Sequence, residues 1–298
     1  MKKLMCLILS AVLMLSVFAG CASQKQDADA IDYSAMTIEE LKPLIKTITS
    51  GKLTMVTSPD FAPYEFYALS ENNKPTLAGF DIALAHYIAD FLDLELEIIP
   101  MDFDGTITEL STGKADIGMA GYSPDPEREK SMLFSDIYYT GTQCFVTTQA
   151  NKDQFTAIAD TNKAEYQIGA QVGSIQAKLA KANSPDADIV ELSKVTDIIA
   201  EVLNGKLDGA YVETIVAEAY AKNYPDLYVA MDVPYEAAGN VVGVNKSNAP
   251  LQAAVNLAIK AAIDDGSLAQ FIADANETAA GNTYEGLLGE DGVVPTEG

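Results

Sequence analysis

Arg128 stands in an acidic run, Asp125-Pro126-Glu127-Arg128-Glu129. A guanidinium is a planar fork of donors that holds a carboxylate by two parallel hydrogen bonds. In such a run it can equally be a solvated surface charge. Glu213 follows the apolar stretch Ala210-Tyr211-Val212. It is placed either to receive a cation or to sit at a surface helix start, where carboxylates are common. Other reactive types are sparse. His86 is the one histidine, and it falls at helical spacing among apolar residues, which suits a core or surface position. A lone His and one free Cys make no metal constellation. No Gly-Lys-Ser/Thr phosphate loop occurs. No metal and no cofactor is expected.

The bulk composition narrows the partners. The 298 residues carry 19 Lys and Arg against 43 Asp and Glu, a formal charge of −24. Such a surface repels phosphate backbones, so no nucleic-acid partner is expected. It also repels anionic lipid, so any membrane contact must come from something other than charge. Apolar residues at 48% and charged residues at 21% are those of a globular protein. The length suggests two domains.

The first twenty residues read as an export signal rather than as fold. Lys2 and Lys3 precede an apolar run over residues 4–18, too short for a comfortable membrane span, and the small pair Ala19-Gly20 follows. Phe18-Ala19-Gly20-Cys21 resembles the bacterial lipoprotein signal, which implies lipid on Cys21 and an anchor in the cell membrane. Cys6 then leaves with the signal and Cys144 stays as the last thiol, so no disulfide is expected. Residues 21–36, rich in Ala, Ser, Gln and Asp, read as a tether.

Arg128 and Glu213 must be carried by elements that bury them. Thr37-Ile38-Glu39-Glu40 fits a capping box at a short helix start, with Pro43 limiting its length. Residues 53–57, 94–99 and 117–120 read as strands, and 80–92 and 104–111 as helices. Between the first strand and the first long helix, Ser58-Pro59-Asp60-Phe61-Ala62-Pro63 reads as a loop. Strands alternating with helices imply parallel sheets. A weak repeat supports two such sheets: Glu109-Leu110-Ser111-Thr112-Gly113-Lys114-Ala115-Asp116 is echoed by Val202-Leu203-Asn204-Gly205-Lys206-Leu207-Asp208. In both, a helix ends at Gly and an Asp leads into a strand. If the units correspond, Gly121 and Glu213 lie at matching strand ends of two sheets, where α/β folds bind ligands. Residues 141–148 and 239–246 read as extended crossings that form a two-strand hinge, with Tyr138-Tyr139 packing there. The chain therefore divides into a signal over 1–20, a tether over 21–36, lobe one from 37–143 and 244–276, lobe two from 144–243, and a flexible tail over 277–298.

Several motifs occur in a familiar order: residues 58–64, Ala78-Gly79-Phe80-Asp81, Met101-Asp102-Phe103-Asp104, Gly113-Lys114-Ala115-Asp116, and Pro126-Glu127-Arg128 followed by Phe134-Ser135-Asp136. Together they resemble the extracytoplasmic amino-acid-binding proteins of ABC importers, solute-binding protein family 3, over residues 50–275. The resemblance implies a two-lobed α/β periplasmic-binding-protein fold with parallel-rich sheets and a two-strand hinge, closing over one amino acid. Burying a zwitterion requires a cation, an anion and hydrogen bonds. By the resemblance, Arg128 is the carboxylate clamp, Gly121 and Ser123 hold the amino and carboxylate groups, and Glu213 receives the ammonium. Gln171-Val172-Gly173-Ser174-Ile175-Gln176 leads into a helix, so Ser174 and the Ile175 amide close on the carboxylate. Ile175 stands where many relatives have Thr, so only its backbone acts. Phe61 and Phe103 sandwich the side-chain stem. Ser58 stands where several basic-amino-acid binders have Asp, which argues against Lys or Arg as ligand; with Gln171 it makes a polar side-chain pocket.

The expected function is a lipid-anchored, monomeric receptor outside the cytoplasm that hands a polar L-amino acid to an ABC permease. Two rivals share the fold. A periplasmic dehydratase needs a carboxylic acid poised to protonate a leaving group, and an ammonium partner would keep Glu213 ionised. A sensor module usually continues into a membrane helix, and no apolar run precedes Gly298.

Overall fold

The computed structural model describes residues 31–69, 74–236 and 239–280. The chain divides into two compact units, Met1–Ala35 and Met36–Gly298. Of the first, residues 31–35 are described, with a 3-10 turn at Tyr33–Ala35. The expected signal, Cys21 and the tail beyond residue 280 lie outside the described residues. Among the described residues no helix is long and apolar enough to cross a membrane.

Among the described residues the second unit contains two five-stranded sheets and one three-stranded one. In chain order the strands are β1 (Lys52–Thr57), β2 (Asp60–Phe61), β3 (Glu65–Leu69), β4 (Pro75–Ala78), β5 (Glu95–Pro100), β6 (Ile117–Gly118) and β7 (Met132–Phe134). Then follow β8 (Gln143–Thr148), β9 (Gln167–Gln171), β10 (Asp188–Leu192), β11 (Gly209–Glu213), β12 (Leu227–Val233) and β13 (Gly243–Asn245). Lobe one is built on β5-β1-β6-β13-β7 and lobe two on β10-β9-β11-β8-β12. Each sheet is mixed. β5, β1 and β6 run parallel, as do β10, β9 and β11, while the other strands of each sheet join through antiparallel pairs. β1 and β11 are almost wholly buried, and of their side chains only Lys52 of β1 is not.

The repeat is a repeat of contacts. Asp116 accepts the Thr54 amide of β1 at 2.9 Å, and Asp208 accepts the Gln167 amide of β9 at 2.8 Å. Lys114 pairs with Glu109 at 3.0 Å and Lys206 with Glu201 at 2.7 Å. Each Asp locks the entry of a central strand to its parallel neighbour, so both strands deliver their far ends to the same side of their sheets.

The helix Phe80–Leu92 starts at Gly79 and buries Phe80, Leu84 and Ile88 on one stripe. It packs against the helices Ala249–Asp264 and Ser267–Ala279, which return to lobe one. The last of these runs past residue 276: residues 277–279, expected in the tail, are helical, with Ala279 buried. The capping box at Thr37 forms, with the Glu40 carboxylate accepting the Thr37 amide at 2.8 Å.

Two further boundaries differ from the sequence reading. The loop at residues 58–63 contains β2, which pairs with β3 and, through it, β4 in a three-stranded antiparallel sheet. The crossings are also shifted. β8 and β13 belong to the lobe sheets, and the chain crosses before each of them. The two crossings meet at one antiparallel bridge, Tyr139 with Asn240. Tyr139 packs there against Tyr64 and Phe80, with ring centroids 5.7 and 5.4 Å away.

Gly79 is the tightest backbone approach beside the site. Its φ is +121°, and a Cβ there would lie 2.1 Å from the Tyr64 carbonyl oxygen. That closeness lets the Phe80 and Asp81 amides bond to the Pro63 and Tyr64 carbonyls at 3.0 and 2.9 Å. Gly79→Ala is expected to cost at least about 1–3 kcal/mol from backbone strain alone. Urea unfolding measures this, and an unchanged midpoint would refute it.

Candidate functional site

Arg128 lies in a 3-10 turn, Arg128–Lys130, after β6 and its following loop. Its guanidinium is buried between the rings of Phe103 and Tyr122, 5.5 and 5.8 Å from their centroids. One terminal nitrogen donates to the Ser123 carbonyl at 3.2 Å, and the other crosses the cleft to the Gly173 carbonyl at 3.0 Å. Its ion pairs are not made: among the described residues no acid forms a salt bridge with it, and Asp125 instead pairs with Lys178 at 2.5 Å. Burial pulls the Arg128 pKa below its ordinary value. A buried cation satisfied by carbonyl oxygens and ring faces is a strong site for an incoming carboxylate.

The structure brings six of the nine expected residues to one cavity between the lobes: Phe61, Phe103, Gly121, Ser123, Arg128 and Gln171. Ile175 joins them, as does Gln176, whose amide donates to Gln143 Oε1 at 2.8 Å. The cavity measures about 10 Å³, the room of about one water. The lobes are therefore shut, and a larger molecule enters only when they part.

The other three residues stand behind that wall. Ser58 donates to Asp60 Oδ1 at 2.7 Å. Ser174 caps its helix, accepting the Ala177 amide at 3.1 Å and donating to the Gln171 carbonyl at 2.7 Å, so its hydroxyl is committed to local structure. Glu213 ends β11 as expected. It is 1% exposed and accepts the Tyr64 hydroxyl on one oxygen, and among the described residues the other oxygen meets no hydrogen-bond partner.

Sequence reasoning missed the groups that hold this floor. Asn240, on the second crossing, donates to the Gly121 carbonyl at 2.9 Å, and its side-chain oxygen lies 2.9 Å from the Tyr64 hydroxyl. Asp81 accepts the Gly121 amide at 3.1 Å and the Tyr138 hydroxyl at 2.7 Å. Gly121 sits at φ +57°, with its Cα against Phe61, where a Cβ would lie 2.8 Å from the ring. Asp81 stood within a motif of the resemblance, as did Tyr64, and that was their available signal. Asp60 carried none beyond its place in the same motif.

The acids outnumber the cation. Burial pushes Glu213 up to about 7 against the pull of its Tyr64 bond, and pushes Asp60 and Asp81 up to about 6. Glu65 is fully buried and is raised well above the carboxylate range by desolvation and by the Asp81 charge. Its oxygens find no protein donor. Cys144 is buried in β8 with its thiol pushed up to about 12, so it is inert. His86 is exposed, and among the described residues no group of His, Cys, Asp and Glu is arranged to hold a metal.

Raised carboxyls reverse the usual acid sensitivity. Between about pH 4 and 7 the folded chain retains protons that the unfolded chain has released, so stability falls as pH rises through the folded values. The unliganded protein is expected to melt at a higher temperature at pH 5 than at pH 8. Glu213→Gln should flatten the upper part of that slope. Scanning calorimetry decides it, and a melting point that climbs from pH 5 to 8 would contradict the protonation scheme.

Comparison with known proteins identifies the family. Residues 53–274 match the family model of bacterial extracellular solute-binding proteins, family 3. The arginine-binding extracellular protein ArtP of Bacillus subtilis (strain 168) is 34% identical over 73% of this chain and 83% of its own. An amino-acid ABC transporter substrate-binding protein, AbpA, from Streptococcus pneumoniae, solved with L-arginine bound, superposes with a TM-score of 0.74 at 31% identity, over 81% of this chain and 99% of that one. The cyclohexadienyl dehydratase of Pseudomonas aeruginosa is a more distant relative, 23% identical over 62% of this chain and 67% of its own. The chain has a two-lobed α/β fold and belongs to the bacterial extracellular solute-binding proteins, family 3.

Proposed function

We propose that this protein captures a basic L-amino acid, arginine foremost, outside the cytoplasm and hands it to the permease of an ABC importer. The observation that carries the reading is Arg128, buried without an acidic partner and aimed into a cleft shared by both lobes. The ligand carboxylate takes the guanidinium, displacing its bond to Gly173. The ammonium takes the free oxygen of Glu213 and ionises it. Phe61 and Phe103 flank the aliphatic stem. Ser58, in place of an acid, argued for an uncharged side chain. Two observations now favour a cationic one: ArtP is named for arginine and AbpA was solved with L-arginine, and the buried carboxyls Asp60, Asp81 and Glu213 give the cleft a negative field. We read the protein as a binder rather than an enzyme, because an ammonium on Glu213 removes the proton that a dehydratase would use.

Arg128→Ala is expected to leave the fold intact and to weaken L-arginine binding by about 3–5 kcal/mol, roughly 150- to several-thousand-fold. Titration calorimetry over the twenty amino acids tests both the clamp and the ligand. A loss under tenfold would mean that Arg128 does not hold the carboxylate, and a clear preference for a neutral amino acid would overturn the basic side chain.

We further propose that the protein is a monomer held to the membrane by lipid on Cys21, with residues 22–36 as tether. The sequence Phe18-Ala19-Gly20-Cys21 supports this. Cys21→Ser is expected to abolish incorporation of labelled fatty acid and release the protein from the membrane fraction. Equal labelling of wild type and variant would sink the anchor.

A further inference from the structure

Asp60 belongs to lobe one, on β2, and yet its partners come from lobe two. Its Oδ2 accepts the Val195 amide at 2.6 Å and the Gln171 side-chain amide at 3.1 Å. Its backbone carbonyl accepts the Tyr220 hydroxyl at 3.1 Å. Its other carboxyl oxygen is held by Ser58 at 2.7 Å. The three donors sit on three separate lobe-two elements: the end of β9, the first turn of the helix Val195–Leu203, and the helix Thr214–Asn223. Asp60 is 6% exposed and is not part of the cavity wall, although its neighbours Phe61 and Gln171 are.

We propose that Asp60 is a closure latch, a lobe-one carboxylate that docks onto the first turn of a lobe-two helix and sets ligand affinity by stabilising the shut form rather than by touching the ligand. A carboxylate suits that berth, because the first amides of a helix have no partner within it and carry a partial positive charge. Parting the lobes withdraws the carboxylate and leaves the Val195 amide, the Gln171 side chain and the Tyr220 hydroxyl to water together. Ser58 has a part in this. Its hydroxyl fixes the second carboxyl oxygen, so the residue that stands in the place of an acid orients the acid two positions later. Gln171 belongs both to the cavity wall and to the latch, which links the side-chain pocket to closure.

A ligand that needs both lobes binds better when the shut form is favoured, by the fraction of molecules already competent. Hydrogen bonds to a charged group are worth about 1.5–3 kcal/mol, so losing the latch corresponds to about a ten- to hundredfold change. The inference rests on the amino-acid-binding reading for its affinity arm and is independent of it for its conformational arm.

The test uses the whole protein at pH 7.5 with Asp60→Ala, Asp60→Asn and Tyr220→Phe. Small-angle scattering without ligand is expected to show a larger radius of gyration for Asp60→Ala than for wild type, with the two converging at saturating L-arginine. Stopped-flow binding of L-arginine is expected to show dissociation faster by about ten- to hundredfold in Asp60→Ala, with association little changed. Asp60→Asn should recover part of the effect, since its amide oxygen still accepts from Val195. Tyr220→Phe, which keeps the ring in place, should show a smaller shift of the same sign. Circular dichroism excludes unfolding as the cause. Equal radii of wild type and Asp60→Ala without ligand would overturn the latch. So would a weakened affinity for L-arginine and L-lysine alongside an unchanged affinity for L-glutamine, because that pattern marks a side-chain contact. If wild type bound no amino acid, the functional reading would fail while the scattering comparison still judged the latch.

Discussion

A buried guanidinium without a counter-charge is the constraint around which the cleft is arranged. Desolvating Arg128 is costly, and the chain meets that cost with two carbonyls and two ring faces rather than with an acid. Asp125, three residues before it and close enough to compete, is drawn away by Lys178. An acid on Arg128 would have made the cleft self-sufficient. Carbonyl partners leave it unfinished, with the Gly173 carbonyl as a weaker stand-in for a carboxylate oxygen.

The buried acids have the converse problem. Glu213, Asp60, Asp81 and Glu65 are all buried, and lost hydration raises each of them, with the Asp81 charge adding to the rise at Glu213 and Glu65. Charges of opposite sign thus lie on both sides of the cleft without meeting. Bringing Arg128 and Glu213 together would have been electrostatically cheaper. They stay apart because they belong to different lobes, Arg128 to a 3-10 turn of lobe one and Glu213 to the end of β11 in lobe two.

Much of this order was legible, and the reasons differ by element. The helix Phe80–Leu92 declared itself by apolar spacing after a glycine, both of which act locally. The repeat was legible because the same helix-end, Lys and Asp sequence makes the same contacts twice. β2 was not legible, since two residues among prolines carry no periodicity, and its partner strand decides it. The crossings were displaced because an extended run looks alike whether it bridges lobes or lies in a sheet; the burial of β8 comes from neighbours distant in sequence. Arg128 and Glu213 were placed by resemblance, and the structure buries both. Asp60 escaped because its partners lie 111 and 135 residues away, and nothing near it in the chain signals either.

The bridge between the crossings gives the cleft an uneven mechanics. Asn240 bonds to Tyr139 through its backbone and to Gly121 through its side chain, and it meets the Tyr64 hydroxyl that also reaches Glu213. The axle of the molecule is thus in direct touch with one end of its cleft. In any rotation, points beside the axle travel little and points on the rim sweep widely. The corner around Glu213 therefore keeps its shape through much of an opening stroke, while the reach from Arg128 to Gly173 is lost early. The two charges of the cleft differ in timing as well as in sign: one is a fixed post, the other a jaw.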